Sequence, residues 1–427
     1  MSERREIENP ADRFLTMAGR PPEEAKFFWT GGPVEVAERT WFQSLFSGCT
    51  AFETDAGLVL VDTGQARLAP ALAEKVRSRT RAPVHTVIYT HGHVDHAYGL
   101  EAFLVEGPAR PRIVGHRAMP GRFARYERTP GHNAAINARQ FGGTVEAAAD
   151  AAYRIFHRPR HLPDTLYDQA LALEVGGLRF ELRHCRGETD DHTWVYCPTR
   201  GVLCPGDLFI WGVPNAGNPQ KAQRYPWDWA AGLREMAACG ARSLCPGHGG
   251  PVVDDPERIR RMLLETADYL DSLVEQTIAA LEDGSPPHVD VVRRVRPPET
   301  DSPWLQPVYD EAEFIVRNVI RYFAGWYSGR PSELKPAARA EVAVAVAEAA
   351  GGARALVARA EERATRGDLA VACHLADYAL EAAAGDAELG ERVARLYEER
   401  ARREQSLMAR NLFASAAAYA SAGRPFV

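Results

Sequence analysis

The densest chemistry in the chain is THGHVDH (90–96), which places His91, His93, Asp95 and His96 within six residues, directly after the apolar run VHTVIYT (84–90). Imidazoles and a carboxylate are the ligands a borderline divalent ion takes. In an extended loop alternate side chains point the same way, so His91 and His93 can grip one ion while Asp95 and His96 turn to a second. Two later stretches offer partners. CPGD (204–207) ends an apolar run at Asp207, placed to bridge two ions, and CPGHGGP (245–251) ends another at His248, where glycines let backbone approach an ion. Eleven of the 13 histidines lie between His85 and His248, so the first part of the chain is expected to hold the chemistry.

The elements around these motifs alternate. Residues 34–64 read as successive strands, 66–79 as a helix and 84–90 as a buried strand. Further strands are expected over 170–183, turning at Gly176–Gly177, and over 192–197, 201–207 and 241–249. Helices are expected over 228–239 and 256–282. Strands mixed with helices, with ligand-type residues at strand ends, predict a layered α/β domain. The composition changes after the Pro-rich stretch 284–303. From Ala337 onward the chain is mostly Ala, Glu, Arg and Leu, giving amphipathic helices over 336–350, 352–366, 369–384, 387–405 and 407–421. The expected division is therefore a catalytic domain over 1–285, a connecting segment over 286–335 and an all-α domain over 336–427.

A net charge of −6 gives no global field to attract a nucleic-acid backbone, and no apolar run is long enough to span a bilayer. The N-terminal stretch has no apolar core of the kind a signal peptide needs. Seven cysteines without a CxxC pair argue against a disulfide framework. The expectation is a reduced, cytoplasmic protein that acts on a small molecule.

The order HxHxDH, a strand-end carboxylate and a final GHG resembles the metallo-β-lactamase fold superfamily, over about residues 30–255. Asp62 in VDTG (61–64) matches that superfamily's early aspartate turn. The resemblance implies an αββα sandwich with two divalent ions, zinc being expected, bound by His91, His93, Asp95, His96, Asp207 and His248. Where most members carry a further histidine, HCRGETDDHTW (184–194) places Glu188, a feature of the alkylsulfatase branch, with His184 and His192 as rivals. The segments 319–336 and 351–380 are similar to the linker and the start of the alkylsulfatase dimerisation domain, which implies a homodimer formed through the C-terminal helices. The sterol-carrier-like domain of long alkylsulfatases falls outside the chain.

The resemblance implies hydrolysis of an anionic sulfate ester by metal-activated water. Two divalent cations bring four positive charges, while Asp95, Glu188, Asp207 and a bridging hydroxide bring four negative ones, so anion binding needs separate cations. Lys221 and Arg224 are expected to clamp the anion, with Asn133, Asn137 and Arg139 as further substrate contacts. Asp95, Tyr126 and His132 are the expected catalytic residues; His132, His192 and Tyr126 are candidate proton donors for attack at sulfur. Trp29, Trp41, Phe46, Trp211 and Trp227 belong either to the core or to a pocket for the organic group. Another ester, a lactone, a thioester, a β-lactam or a phosphodiester is the alternative substrate. An iron oxidoreductase or a non-enzymatic protein stands further off.

Overall fold

Alternating and continuous apolar runs give twelve strands among the described residues of the computed structural model, which are 9–15, 29, 31–104, 110–150, 154–286 and 290–426. Seven strands form one sheet in sequence order: β1 (Val34–Ala37), β2 (Thr40–Ser44), β3 (Gly48–Thr54), β4 (Gly57–Val61), β5 (Val84–Ile88), β6 (Arg112–His116) and β7 (Thr165–Tyr167). The first four pair antiparallel, whereas β4 through β7 pair parallel. The second sheet runs in the order β12 (Ser243–His248), β11 (Val202–Ile210), β10 (Thr193–Cys197), β9 (Leu178–His184) and β8 (Ala170–Val175). Here β11 and β12 are parallel, and Gly176 and Gly177, both at positive φ, form the expected β8–β9 turn.

The sheets face each other through one apolar layer. Phe42, Phe52, Val59, Val61, Ile88 and Val114 from the first meet Phe180, Leu182, Val195, Cys204 and Cys245 from the second. Phe52 and Phe180 cross edge to face at 5.2 Å. The outer face of the first sheet is covered by the helix Ala69–Arg77 through Leu72, Ala73 and Val76. Against the second sheet, Trp229 in the helix Pro226–Ala238 donates its indole N–H to the Leu208 carbonyl at 2.7 Å. This is the α/β sandwich the strand pattern implies. All seven cysteines are free thiols, and no described helix is long and apolar enough to cross a membrane.

The described residues divide into two compact units. Residues Met1–Arg128 and His157–Phe323 make the first, whereas Thr129–Phe156 and Ala324–Val427 make the second. These limits differ from the expected boundaries at 285 and 336 in two ways. The helix Ala312–Phe323, within the expected connecting segment, buries an apolar stripe of Ile315, Val316, Val319 and Ile320 in the first unit. The helix Pro130–Gln140 and the turn after it belong instead with the C-terminal helices. Asn411 donates to the Gln140 carbonyl at 2.9 Å and Ser415 to the Gly143 carbonyl at 2.6 Å. The five C-terminal helices are observed at Arg339–Ala350, Ala353–Thr365, Leu369–Ala382, Ala387–Arg403 and Leu407–Ser421. Their core is small-residue packing around Leu356, Val357, Leu389 and Val393.

Candidate metal centre

The centre is built where parallel strands end. Just past β4, Asp62 takes a left-handed backbone conformation, φ +59°, and turns its buried carboxylate under the β5 loop. That carboxylate accepts from the Thr90 N–H, the Thr90 hydroxyl and Nδ1 of His96, each at 2.7 Å. The Thr90 hydroxyl gives its hydrogen to Asp62, so it accepts from Nδ1 of His91, 3.0 Å away. On the opposite side, Nδ1 of His248 donates to the Phe46 carbonyl at 2.7 Å. Three histidines thus have Nδ1 occupied by an oxygen, which fixes the tautomer and leaves each Nε2 lone pair to face the centre. Burial pushes the His91 imidazole well below its ordinary pKa, consistent with a neutral donor.

Two groups of donor atoms result, each gathered within 4.8 Å: His91, His93, Glu188 and Asp207, and Asp95, His96 and His248. In the first group His93 Nδ1 lies 2.9 Å from His91 Nε2 and 3.4 Å from Glu188 Oε2, and His91 Nε2 lies 3.7 Å from Asp207 Oδ2. In the second, Asp95 Oδ2 is 3.6 Å from His96 Nε2 and 3.5 Å from His248 Nε2. Asp207 also reaches this group, with Oδ1 3.2 Å from His96 and Oδ2 3.4 Å from His248. Ligands held about 2.0–2.2 Å from a tetrahedral ion sit about 3.4 Å apart, so these spacings suit a shared cation. Nε2 of His96, Oε2 of Glu188 and Oδ1 of Asp207 are buried without a hydrogen-bond partner. Unpartnered buried atoms of this kind are costly unless something else binds them. Together the observations fit a divalent-metal site, with Asp207 within reach of both donor groups.

Local backbone geometry places Asp207 between the two groups. Gly206, at φ +56°, breaks the β11–β12 register so that Asp207 turns inward. On β12, a Cβ added to Gly247 would lie 2.0 Å from Oδ1 of Asp207. The CPGHG glycine is therefore room for the carboxylate.

Glu188, at the β9–β10 loop, stands in the first donor group, whereas its rivals do not. His184 gives Nδ1 to the His192 carbonyl at 2.9 Å and stacks on His116 at 3.7 Å between ring centroids. His192 stacks on His91 at 4.5 Å, and its Nε2 accepts the Asp207 N–H at 3.2 Å. Opposite Oε2, the other oxygen of Glu188 accepts from Nδ2 of Asn215 and, at 2.7 Å, from Arg224. The Arg224 Nε–H also donates to the Asn215 carbonyl. Burial would raise the Glu188 carboxyl, but His93 and Arg224 hold it below the usual range. Arg224, expected in an anion clamp, is thus taken up by a metal-type ligand, with both side chains 3% exposed. Its type and number gave no hint of this; only the fold brings residues 36 apart into contact.

The other expected residues divide between the units. Lys221 is in the first unit and only partly exposed; burial and Arg224 lower its ammonium to about 7. Tyr126 is buried on the helix Met119–Arg128, with Arg122 and Arg125 in electrostatic range and burial raising its hydroxyl. His132, Asn133, Asn137 and Arg139 lie in the second unit, on Pro130–Gln140, where Asn133 donates to the Thr129 carbonyl and hydroxyl and Arg139 stacks over Phe426. Arg122, not expected, reaches Nε2 of His93 at 3.3 Å and pairs with Asp190 at 3.1 Å, while Asp191 accepts the Gly92 N–H at 2.8 Å. Trp29, Trp41 and Trp211 are buried core. Phe46 stays partly exposed and meets His248 edge-on at 5.3 Å, whereas Trp227 packs on Tyr322 at 4.5 Å.

Residues 45–248, the stretch that carries the donor cluster, match the metallo-beta-lactamase superfamily model. Residues 288–423 match the alkyl sulfatase dimerisation family model. The chain is 26% identical over 351 residues to a linear primary-alkylsulfatase of Pseudomonas sp., covering 77% of this chain and 65% of that protein. It is 25% identical over 357 residues to an (R)-specific secondary-alkylsulfatase of Pseudomonas sp., covering 77% and 53%. The solved structure of the stereoselective inverting sec-alkylsulfatase Pisa1 from Pseudomonas sp. shares the fold, with TM-score 0.80 at 22% identity over 92% of this chain and 66% of that one. The chain thus spans only about half to two thirds of the length of these relatives.

Proposed function

We propose that the chain is a dinuclear metal-dependent hydrolase of alkyl sulfate esters that uses zinc and works as a homodimer through its C-terminal helices. The observation that carries this reading is the pair of donor groups bridged by Asp207, with Glu188 standing among the ligands of the first. His91, His93, Glu188 and Asp207 would hold one ion, and Asp95, His96 and His248 the other, with Asp207 within reach of it. When bound, such ions supply Lewis acidity and make water a nucleophile near neutral pH. The chain's own residues do the rest. Asp62, Thr90 and the Phe46 carbonyl fix the imidazole orientations before any ligand arrives. Lys221 provides positive charge for the ester's anionic head, and Arg122 adds to the cationic side of the centre near His93. Tyr126, kept protonated by burial, can donate a hydrogen bond to an ester oxygen.

The test is turnover across a panel at equal zinc loading: inorganic sulfate released from linear and secondary alkyl sulfates and an aryl sulfate, ring opening of a β-lactam and a lactone, and hydrolysis of a phosphodiester. Sulfate release from the alkyl esters is expected. Turnover confined to the β-lactam, lactone or phosphodiester would overturn the substrate assignment while leaving the hydrolase standing.

A further inference from the structure

We infer that Arg224 and Asn215 form a clamp that positions Glu188 as a one-oxygen metal ligand, and that the helix Ala312–Phe323 holds this clamp in place. The inference rests on the dinuclear reading above and deepens it.

The two carboxylate oxygens of Glu188 have opposite environments. Oε1 receives the amide of Asn215 and the guanidinium of Arg224, whereas Oε2 has no hydrogen-bond partner and lies 3.4 Å from His93 Nδ1 and 3.8 Å from His91 Nε2. A carboxylate anchored through one oxygen can rotate little, so the free oxygen is aimed before an ion arrives. Arg224 is anchored in turn. Its Nε–H is held by the Asn215 carbonyl, so the guanidinium spans the two members of the clamp with its fixed fork. Its own backbone is pinned on both sides by Asn318: the amide oxygen accepts the Arg224 N–H at 3.3 Å, and the amide nitrogen donates to the Arg224 carbonyl at 2.9 Å. At the start of the same helical segment, Asp310 accepts the N–H groups of Gly217 at 2.6 Å and Asn218 at 3.3 Å, fixing the loop that carries Asn215.

The clamp also changes the charge balance. Three carboxylates about two divalent ions would leave the centre poorer in positive charge than a histidine at 188 would. The buried guanidinium on Oε1 supplies the missing positive charge at the one ligand responsible. A second consequence concerns the chain's architecture. The segment matching the dimerisation family begins at residue 288, yet Asp310 and Asn318 within it belong to the first unit and brace its metal centre.

Metal binding gives a readout separate from activity. Wild type, Arg224→Ala, Arg224→Lys and Asn215→Ala would be stripped with chelator, checked for retained fold by circular dichroism, and titrated with zinc against a chromophoric competitor. Parallel cobalt titrations would follow the visible absorption of each site. Two ions are expected in wild type. Arg224→Ala should lose about 10- to 100-fold in affinity at one ion only, with an altered cobalt spectrum. The lysine variant should recover part of that loss, and Asn215→Ala should show a smaller loss at the same ion. If Arg224→Ala does not fold, the other two variants carry the test. Wild-type affinity and spectrum in all folded variants, with only KM for an alkyl sulfate raised, would overturn the inference and return Arg224 to an anion-binding role. A wild type that binds no ion at all would instead remove the dinuclear reading itself.

Discussion

Replacing Asp62 by Ala should damage both the fold and the metal centre, although Asp62 belongs to neither donor group. Its carboxylate is 2% exposed and accepts three hydrogen bonds at 2.7 Å, two from Thr90 and one from His96. Thr90 and His96 are themselves buried, so water cannot replace the lost acceptor. A buried donor left unsatisfied costs about 1–3 kcal/mol. The Thr90 hydroxyl can rotate and recover part of this, so the three contributions will not add fully. Ala in the left-handed conformation at φ +59° adds roughly 1 kcal/mol. The expected loss is about 3–5 kcal/mol, the range for breaking a buried charged network. Urea denaturation of metal-free protein by tryptophan fluorescence measures it, because of the eight tryptophans only Trp326 lies in the second unit. Freed from Asp62, His96 should also lose orientation, lowering zinc affinity about 10- to 100-fold. Asp62→Asn should be intermediate, keeping an acceptor for the Thr90 N–H. A stability change below about 1 kcal/mol with unchanged zinc affinity would refute the reasoning.

Other substitutions probe separate parts of the account. Gly247→Ala should fold poorly or bind metal weakly, since its Cβ would sit 2.0 Å from Asp207 Oδ1 and 2.7 Å from the Gly206 backbone; normal metal content at normal stability would contradict that contact. Burial raises the Asp310 carboxyl to about 7, so its contribution to stability is full at low pH and is lost as pH rises toward 7. Between pH 5 and 8 this should cost wild type about 3 kcal/mol, visible as a pH-dependent urea midpoint that Asp310→Asn flattens; parallel profiles for the two proteins would count against it. Lys221→Ala should raise KM for an alkyl sulfate more than it lowers kcat. In wild type that KM should climb as pH passes about 7, where the ammonium loses its proton, and the variant should lack the climb.

Much of the donor cluster was legible because its residues are local or sit at strand ends. Four come from six consecutive residues, and Asp207 and His248 are marked by apolar runs that stop at Pro-Gly. The sandwich followed for the same reason, since strand periodicity survives in single segments, and the five C-terminal helices were marked by composition. What stayed hidden is contact between distant residues. No local pattern shows that Asn318 grips the Arg224 backbone or that Arg224 pairs with Glu188, so Arg224 read as a spare cation. The helix Ala312–Phe323 was missed because the flanking prolines suggested a linker, yet its stripe of Ile315, Val316, Val319 and Ile320 is apolar at helical spacing. The Pro130–Gln140 helix lies in sequence between elements of the first unit, and only packing assigns it to the second.

The central claim is that side chains from four separated loops hold two divalent ions, one in each donor group. Elemental analysis of protein reloaded with zinc and freed of excess measures this directly, comparing wild type with His91→Ala and His248→Ala. The account predicts two equivalents per chain in wild type and about one in each variant, because each substitution removes a ligand from one group only. Protein that retains no zinc, or variants that hold as much as wild type, would contradict it.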